Sequence, residues 1–187
     1  MESFFASAFV VALAEIGDKT QLLSLLLAAR YKKALPIIAG ILVATLANHF
    51  AAGMLGAWIS TLFTPDVMRW IVGISLLAMA LWTLLPDKLD GEVSESPRYG
   101  VFLFTCAVFF VAEIGDKTQV ATIVLAAKYS SLALVVAGTT FGMMVANVPV
   151  VILGSTASHR IPFRAVRTVT ALLFVAMAAG VLVGAGF

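Results

Sequence analysis

The chain predicts an all-α integral membrane protein whose six transmembrane helices form two inverted three-helix repeats. Three observations carry this expectation. Hydrophobic residues make up 61% of the 187 and charged residues only 12%, with a mean hydropathy of +1.06, far from the balance of a soluble domain. Six apolar runs approach or exceed the length of about 20 helical residues that crosses a hydrocarbon core of about 30 Å. Finally, AEIGDKTQ at Ala14–Gln21 returns unchanged at Ala112–Gln119, an offset of 98.

The first span is expected over Phe4–Ala29. It follows Met1-Glu2-Ser3 without the Lys or Arg that opens a secretory signal, so it reads as a helix of the protein itself. The second span covers Leu35–Phe63 and the third Trp70–Leu85, closing a first repeat at residues 1–86. Pro86–Gly100 reads PDKLDGEVSESPRYG, a Pro, Gly, Ser and charge mix typical of a loop, so residues 87–99 are expected to form a cytoplasmic linker. The second repeat, residues 100–187, carries spans at Val101–Ala127, Leu132–Thr156 and Val166–Gly186. Nothing is left over for a nucleotide-binding or catalytic module, so no enzyme, no cofactor and no nucleic-acid partner are expected. The single cysteine, Cys106, excludes an intrachain disulfide and supplies no thiolate cluster for a soft metal.

Orientation follows from the charges outside the motifs. Arg30, Lys32 and Lys33 lie in the first loop, Lys88 and Arg98 in the third, and Arg160, Arg164 and Arg167 in the fifth, against Arg69 in the second and Lys128 in the fourth. The positive-inside rule places the odd loops in the cytoplasm and both termini outside.

The offset of 98 extends beyond the motif. LAARY at Leu27–Tyr31 answers LAAKY at Leu125–Tyr129, Gly40 answers Gly138, Gly56 answers Gly154, and Arg69 answers Arg167. Because three is odd, the second unit enters the membrane from the opposite side. Such inverted repeats are typical of secondary transporters, which bind their substrate near the midplane where the repeats meet.

Glu15, Asp18, Glu113 and Asp116 fall near the middle of the first and fourth spans. A charge at that depth costs on the order of 3 kcal/mol and usually faces a bundle interior or a cavity. Glu and Asp at i and i+3 of one helix share a face, and inverted symmetry sets the second pair against the first. Four carboxylates around one point make a hard oxygen site suited to Ca²⁺, Mg²⁺ or Mn²⁺. Two unit charges at 4 Å repel by about 4 kcal/mol at an effective dielectric of 20, so the empty site is expected to hold protons that a cation displaces. Gly17 and Gly115 serve either close helix crossing or a loosened helix that frees carbonyls. Lys19 and Lys117 lie within ion-pair reach of Glu15 and Glu113 at i+4. The structural alternative is that these two pairs merely pin the helices, which leaves both Asp residues unexplained.

Gln21, Gln119, Asn48 and Asn147 form a second rank of candidate ligands, the two Asn residues matching at an offset of 99 rather than 98. His49, whose strict equivalent is Asn147, reads as a helix-packing residue, and Met143 and Met144 as core filling. GVLVG at Gly180–Gly184 is a small-xxx-small pattern that offers the last span to a partner helix or a second copy in a homodimer.

The duplicated Glu-x-Gly-Asp-Lys-Thr word, each copy in the first span of a three-helix unit, resembles the signature of the family that includes the Golgi Ca²⁺/Mn²⁺ transporters linked to glycosylation defects and bacterial Mn²⁺ exporters of the MneA type. The resemblance covers essentially the whole chain. It implies cation/proton antiport, in bacteria the extrusion of Mn²⁺ through the plasma (inner) membrane, with Ca²⁺ as the alternative cargo. The ligand acids it implies are Glu15, Asp18, Glu113 and Asp116.

Three other functions fit less well. Intramembrane aspartyl proteases use Gly-x-Gly-Asp with Tyr-Asp, but the first Gly of that pattern is Glu15 or Glu113 here and no Tyr-Asp occurs. A channel needs a continuous pore, whereas two inverted halves favour alternating access. A small-solute exporter leaves the acids unexplained.

Overall fold

The computed structural model describes residues 1–85, 100–153 and 163–184. Every regular element among them is a helix: α1 (Glu2–Glu15), α2 (Lys19–Tyr31), α3 (Ala34–Leu62), α4 (Pro65–Leu84), α5 (Gly100–Glu113), α6 (Lys117–Lys128), α7 (Leu132–Leu153) and α8 (Phe163–Leu182). The linker at residues 87–99, Gly154–Thr156 of the fifth expected span and Ala185–Gly186 of the sixth lie outside the described residues.

The main departure from expectation concerns the first and fourth spans, which are not single helices. Each divides at its motif into two helices of about half length, α1 with α2 and α5 with α6. Glycine at positive φ makes the break: Gly17 has φ +81° and Gly115 φ +73°, a region that costs other residues roughly 1–2 kcal/mol. Three helices, α3, α4 and α7, are long and apolar enough to cross a membrane unbroken. The third expected span also starts too late. Thr64 precedes Pro65 at the first helical turn, which holds Asp66, a start favoured by proline's fixed φ and missing donor but too polar for a hydropathy window.

The helices expose apolar side chains and bury a mixture of apolar, small and polar ones. On α3, Leu42, Leu46, Phe50, Met54 and Trp58 form an exposed stripe at four-residue spacing, the face for lipid. Its buried face carries Gly40, Thr45, Asn48, His49, Gly53 and Gly56. Small and polar residues at helix contacts are what apolar solvent selects, since lipid gives no advantage to burying another leucine.

Helices of the first half pack chiefly on helices of the second. α1 lies along α7, α3 against α5, α6 and α7, and α4 against α8. The contacts repeat at the offset of 98: a Cβ on Gly138 would meet the Phe4 carbonyl oxygen and Ser7, while one on Gly40 would meet the equivalent Phe102 oxygen at 3.0 Å and Thr105 at 2.7 Å. Since a backbone carbonyl cannot swing aside, Gly138→Ala is expected to cost about 1–3 kcal/mol. Thermal unfolding in detergent will show this as a drop of several degrees, with Gly180→Ala, whose Cβ would meet nothing within 4 Å, as the unaffected control. The Gly180–Gly184 pattern does not run along one helix, because α8 ends at Leu182 and Gly184 sits at φ +86°.

Candidate cation site

Each letter of the repeated word has a distinct structural task. Glu15 is the last residue of α1 and Glu113 the last of α5. After each break an aspartate caps the next helix: Asp18 accepts the Lys19 N–H at 2.7 Å, and Asp116 the Lys117 N–H at 2.7 Å. This is the capping role for which Asp is preferred. The threonine reaches back to the glutamate, Thr20 donating to Glu15 Oε1 and Thr118 to Glu113 Oε2 at 3.3 Å. The glutamine that follows accepts the glycine N–H, Gln21 from Gly17 at 2.9 Å and Gln119 from Gly115 at 2.8 Å, so it clasps the turn closed. Glu and Asp therefore do not share one helix face as i and i+3. They hold opposite ends of two helices whose termini bring partial charges and open backbone groups to the break, the device that broken-helix transporters use at their sites.

The side chains then cross between halves. Lys117 Nζ lies 3.1 Å from Asp18 Oδ1, and Lys19 Nζ lies 3.8 Å from Asp116 Oδ1. The i, i+4 pairs expected with Glu15 and Glu113 are replaced by these exchanged pairs, because the break removes the helical spacing on which i, i+4 geometry depends. Asn147 donates to Glu15 Oε1 at 3.0 Å, and His49 Nε2 stands 3.5 Å from Glu113 Oε2. Gln21 donates to the Ala146 carbonyl at 3.1 Å, while Gln119 donates at 3.3 Å to Asn48, which in turn donates to the Phe110 carbonyl at 3.0 Å. These partners pair at an offset of 98, His49 with Asn147 and Asn48 with Ala146, so matching the two asparagines at 99 is corrected. His49 is the residue that sequence reasoning passes over; its strict equivalence to Asn147 is the available signal.

All four acids are buried, and Glu15 lies within electrostatic reach of both Asp18 and Glu113. Glu15 Oε2, Glu113 Oε1 and Asp116 Oδ2 make no hydrogen bond to any described residue. Buried carboxylate oxygens without partners are costly, and a divalent cation is the natural ligand for such hard donors. The four acids do not yet close on one point, however. Among the described residues no three His, Cys, Asp or Glu side chains stand together so as to hold one ion. Each aspartate instead faces an ammonium from the other half, which holds part of the positive charge that a cation would bring.

The two breaks are covered differently. Arg167 Nη2 donates to the Gly17 carbonyl at 3.4 Å, and Thr170 donates to the Leu13 carbonyl at 3.0 Å, so α8 covers the first break. At the second, Val111, Ile114 and Gly115 are exposed, while Arg69, the equivalent of Arg167, pairs with Asp66 at 3.6 Å.

Comparison with known proteins gives the chain a family and relatives. The family model described as divalent cation/proton antiporter GDT1 matches residues 3–91 and 101–186. A Vibrio cholerae protein named "Putative manganese exporter" is 55% identical over 92% of this chain and 86% of its own. GDT1-like protein 3 of Arabidopsis thaliana is 28% identical over 92% of this chain and 68% of its own, and a GDT1-like protein of Synechocystis is 28% identical over 93% of each. No solved structure matches. With duplicated acid-bearing breaks clasped in the same way, and a family match spanning both, the chain belongs to the GDT1 family of divalent cation/proton antiporters.

Proposed function

We propose that the protein carries Mn²⁺ out of the cytoplasm in exchange for protons, with Ca²⁺ as the alternative cargo. The observation that carries this reading is the buried oxygens Glu15 Oε2, Glu113 Oε1 and Asp116 Oδ2, which make no hydrogen bond to any described residue, at two helix breaks related by the same offset. In this reading α1 with α2 and α5 with α6 each count as one span, giving six spans in two inverted halves within a bacterial inner membrane and both termini outside. The cation binds Glu15, Asp18, Glu113 and Asp116, with Gln21, Gln119, Asn48 and Asn147 shaping the breaks around them. The two ammonium groups withdraw as it arrives.

Proton coupling follows from competition. Acids that hold a divalent cation in a low-dielectric site must release their protons to do so. The unequal covering of the two breaks, the first bridged by Arg167 and Thr170 of α8, fits alternating access, in which the halves differ at any moment. The relative's name favours Mn²⁺; the oxygen donors alone suit Ca²⁺ equally well.

Metal uptake into inverted membrane vesicles with an inside-acid gradient tests the reading. Mn²⁺ is expected to accumulate in the lumen, and dissipating the gradient with a protonophore is expected to reduce uptake about tenfold or more. Uptake indifferent to the gradient would reject proton coupling, and no uptake of Mn²⁺, Ca²⁺ or Mg²⁺ would reject the transporter reading itself.

A further inference from the structure

We propose that His49 is a nitrogen ligand of the transported cation, supplied beside Glu113, and that it favours Mn²⁺ over Ca²⁺ and Mg²⁺; this rests on the cation-transport reading above and deepens it.

The comparison of two equivalent positions carries the inference. Asn147 on α7 and His49 on α3 both face the glutamate of the opposite half, but only Asn147 is saturated. Its amide donates to Glu15, to the Met143 carbonyl at 3.1 Å and toward Met143 Sδ at 3.0 Å, and its oxygen accepts from Ser24 at 2.5 Å. At His49 the ties corresponding to Ser24 and Met143 are missing. Ser24 is replaced by Thr122, whose hydroxyl donates to its own helix at the Thr118 carbonyl, 2.9 Å away. Met143 is replaced by Thr45, whose hydroxyl makes no hydrogen bond to any described residue. His49 itself is fully buried, and neither ring nitrogen hydrogen-bonds to any described residue.

A histidine that only packed helices together would satisfy its N–H with a neighbouring carbonyl, as buried polar groups do. This one instead holds Nε2 3.5 Å from Glu113 Oε2. Two ligands on adjacent positions around a cation bound at about 2.1–2.5 Å stand about 3.0–3.5 Å apart, so the pair already has nearly the separation of two donors sharing an ion. Asn48, the preceding residue, holds its amide on Gln119 and the Phe110 carbonyl and so fixes this turn of α3 beside the second break.

Chemistry then sets the selectivity. Carboxylate oxygens accept Mg²⁺, Ca²⁺ and Mn²⁺ alike, whereas imidazole nitrogen is a ligand for transition metals and a poor one for the two hard ions. The imidazole nitrogen stands beside Glu113, whereas the equivalent position beside Glu15 holds the Asn147 amide, so the cation meets this nitrogen at the second half.

The chain has two histidines, His49 and His159, so a nitrogen signal can be assigned. Pulsed electron paramagnetic resonance of Mn²⁺ bound to the purified full-length protein is expected to show ¹⁴N coupling from imidazole that persists in His159→Gln and disappears in His49→Asn. In inside-acid inverted vesicles, Ca²⁺ is expected to compete with Mn²⁺ uptake by His49→Asn and by His49→Gln at concentrations about tenfold lower than for the parent protein. Mn²⁺ that binds and is transported without nitrogen coupling, and with unchanged Ca²⁺ competition, would overturn the role of His49 while leaving the carboxylate site standing. No Mn²⁺ bound or transported by the parent protein would overturn both. The coupling measured on the parent protein needs no variant to fold.

Discussion

Glu15→Gln and Asp116→Asn are each expected to reduce proton-driven Mn²⁺ uptake by roughly a hundredfold or more, while leaving the amount of protein in the membrane unchanged or raised. The two effects have opposite electrostatic origins. A unit charge 4 Å from a divalent cation contributes about 8 kcal/mol at an effective dielectric of 20, twice the figure for two unit charges. If desolvation cancels two thirds of this, the remainder still amounts to roughly a hundredfold in binding. For insertion, by contrast, the carboxylate is a burden on the order of 3 kcal/mol, which the amide largely removes. The amide also keeps the shape of the break: an asparagine in place of Asp116 can still cap α6, and a glutamine in place of Glu15 can still meet Thr20 and Asn147. Uptake and quantitative immunoblotting on the same vesicles separate the two effects. Glu2→Gln, on the exposed first turn of α1, is the control and should transport normally. Full transport by both site variants would eliminate a carboxylate site at these breaks.

The duplication and the greasy character of the chain are legible because both are local properties of the string. The acids too stand out, being charged residues in runs where charge is expensive. Less legible is what the motif does to the backbone. Hydropathy cannot distinguish a single 26-residue helix over Phe4–Ala29 from α1 and α2 meeting at a three-residue break, since both bury the same letters in the same lipid. Gly17 offers close packing and loosening as equal readings, and only its positive φ decides between them.

Once the helix is broken, every inference from helical spacing fails with it, which is why spacing alone assigns Lys19 and Lys117 to Glu15 and Glu113 rather than to Asp116 and Asp18. The asparagines mislead for a different reason. Asn48 and Asn147 look alike as letters in a string, but the position equivalent to Asn147 is His49. Pseudo-symmetry conserves place, and the chemistry at that place has diverged.

Lys117→Met is expected to lower the unfolding temperature of the metal-free protein by about 10 °C, and Mn²⁺ to recover most of that loss. The ammonium of Lys117 is buried and lies 3.1 Å from Asp18, itself fully buried. Removing one partner of such a pair takes this counter-ion from the other charge in a poorly solvating site, at a cost of about 3–5 kcal/mol. A domain of this length loses about 2–4 °C per kcal/mol. Lys19→Met should cost less than half as much, because that ammonium is 28% exposed and 3.8 Å from Asp116, where water screens the pair.

The double variant Lys117→Met with Asp18→Asn should regain most of the stability without regaining transport, since it removes the stranded charge and the proposed ligand together. The unequal response to metal is the informative part. If the ammonium and the cation compete for one carboxylate, deleting the ammonium makes Asp18 available, and by mass action the same Mn²⁺ concentration stabilises Lys117→Met more than the parent protein. Differential scanning fluorimetry with and without Mn²⁺ measures this. An equal metal-induced shift in the two proteins would mean that Lys117 merely pins α6 against the first break and has no part in admitting the cation.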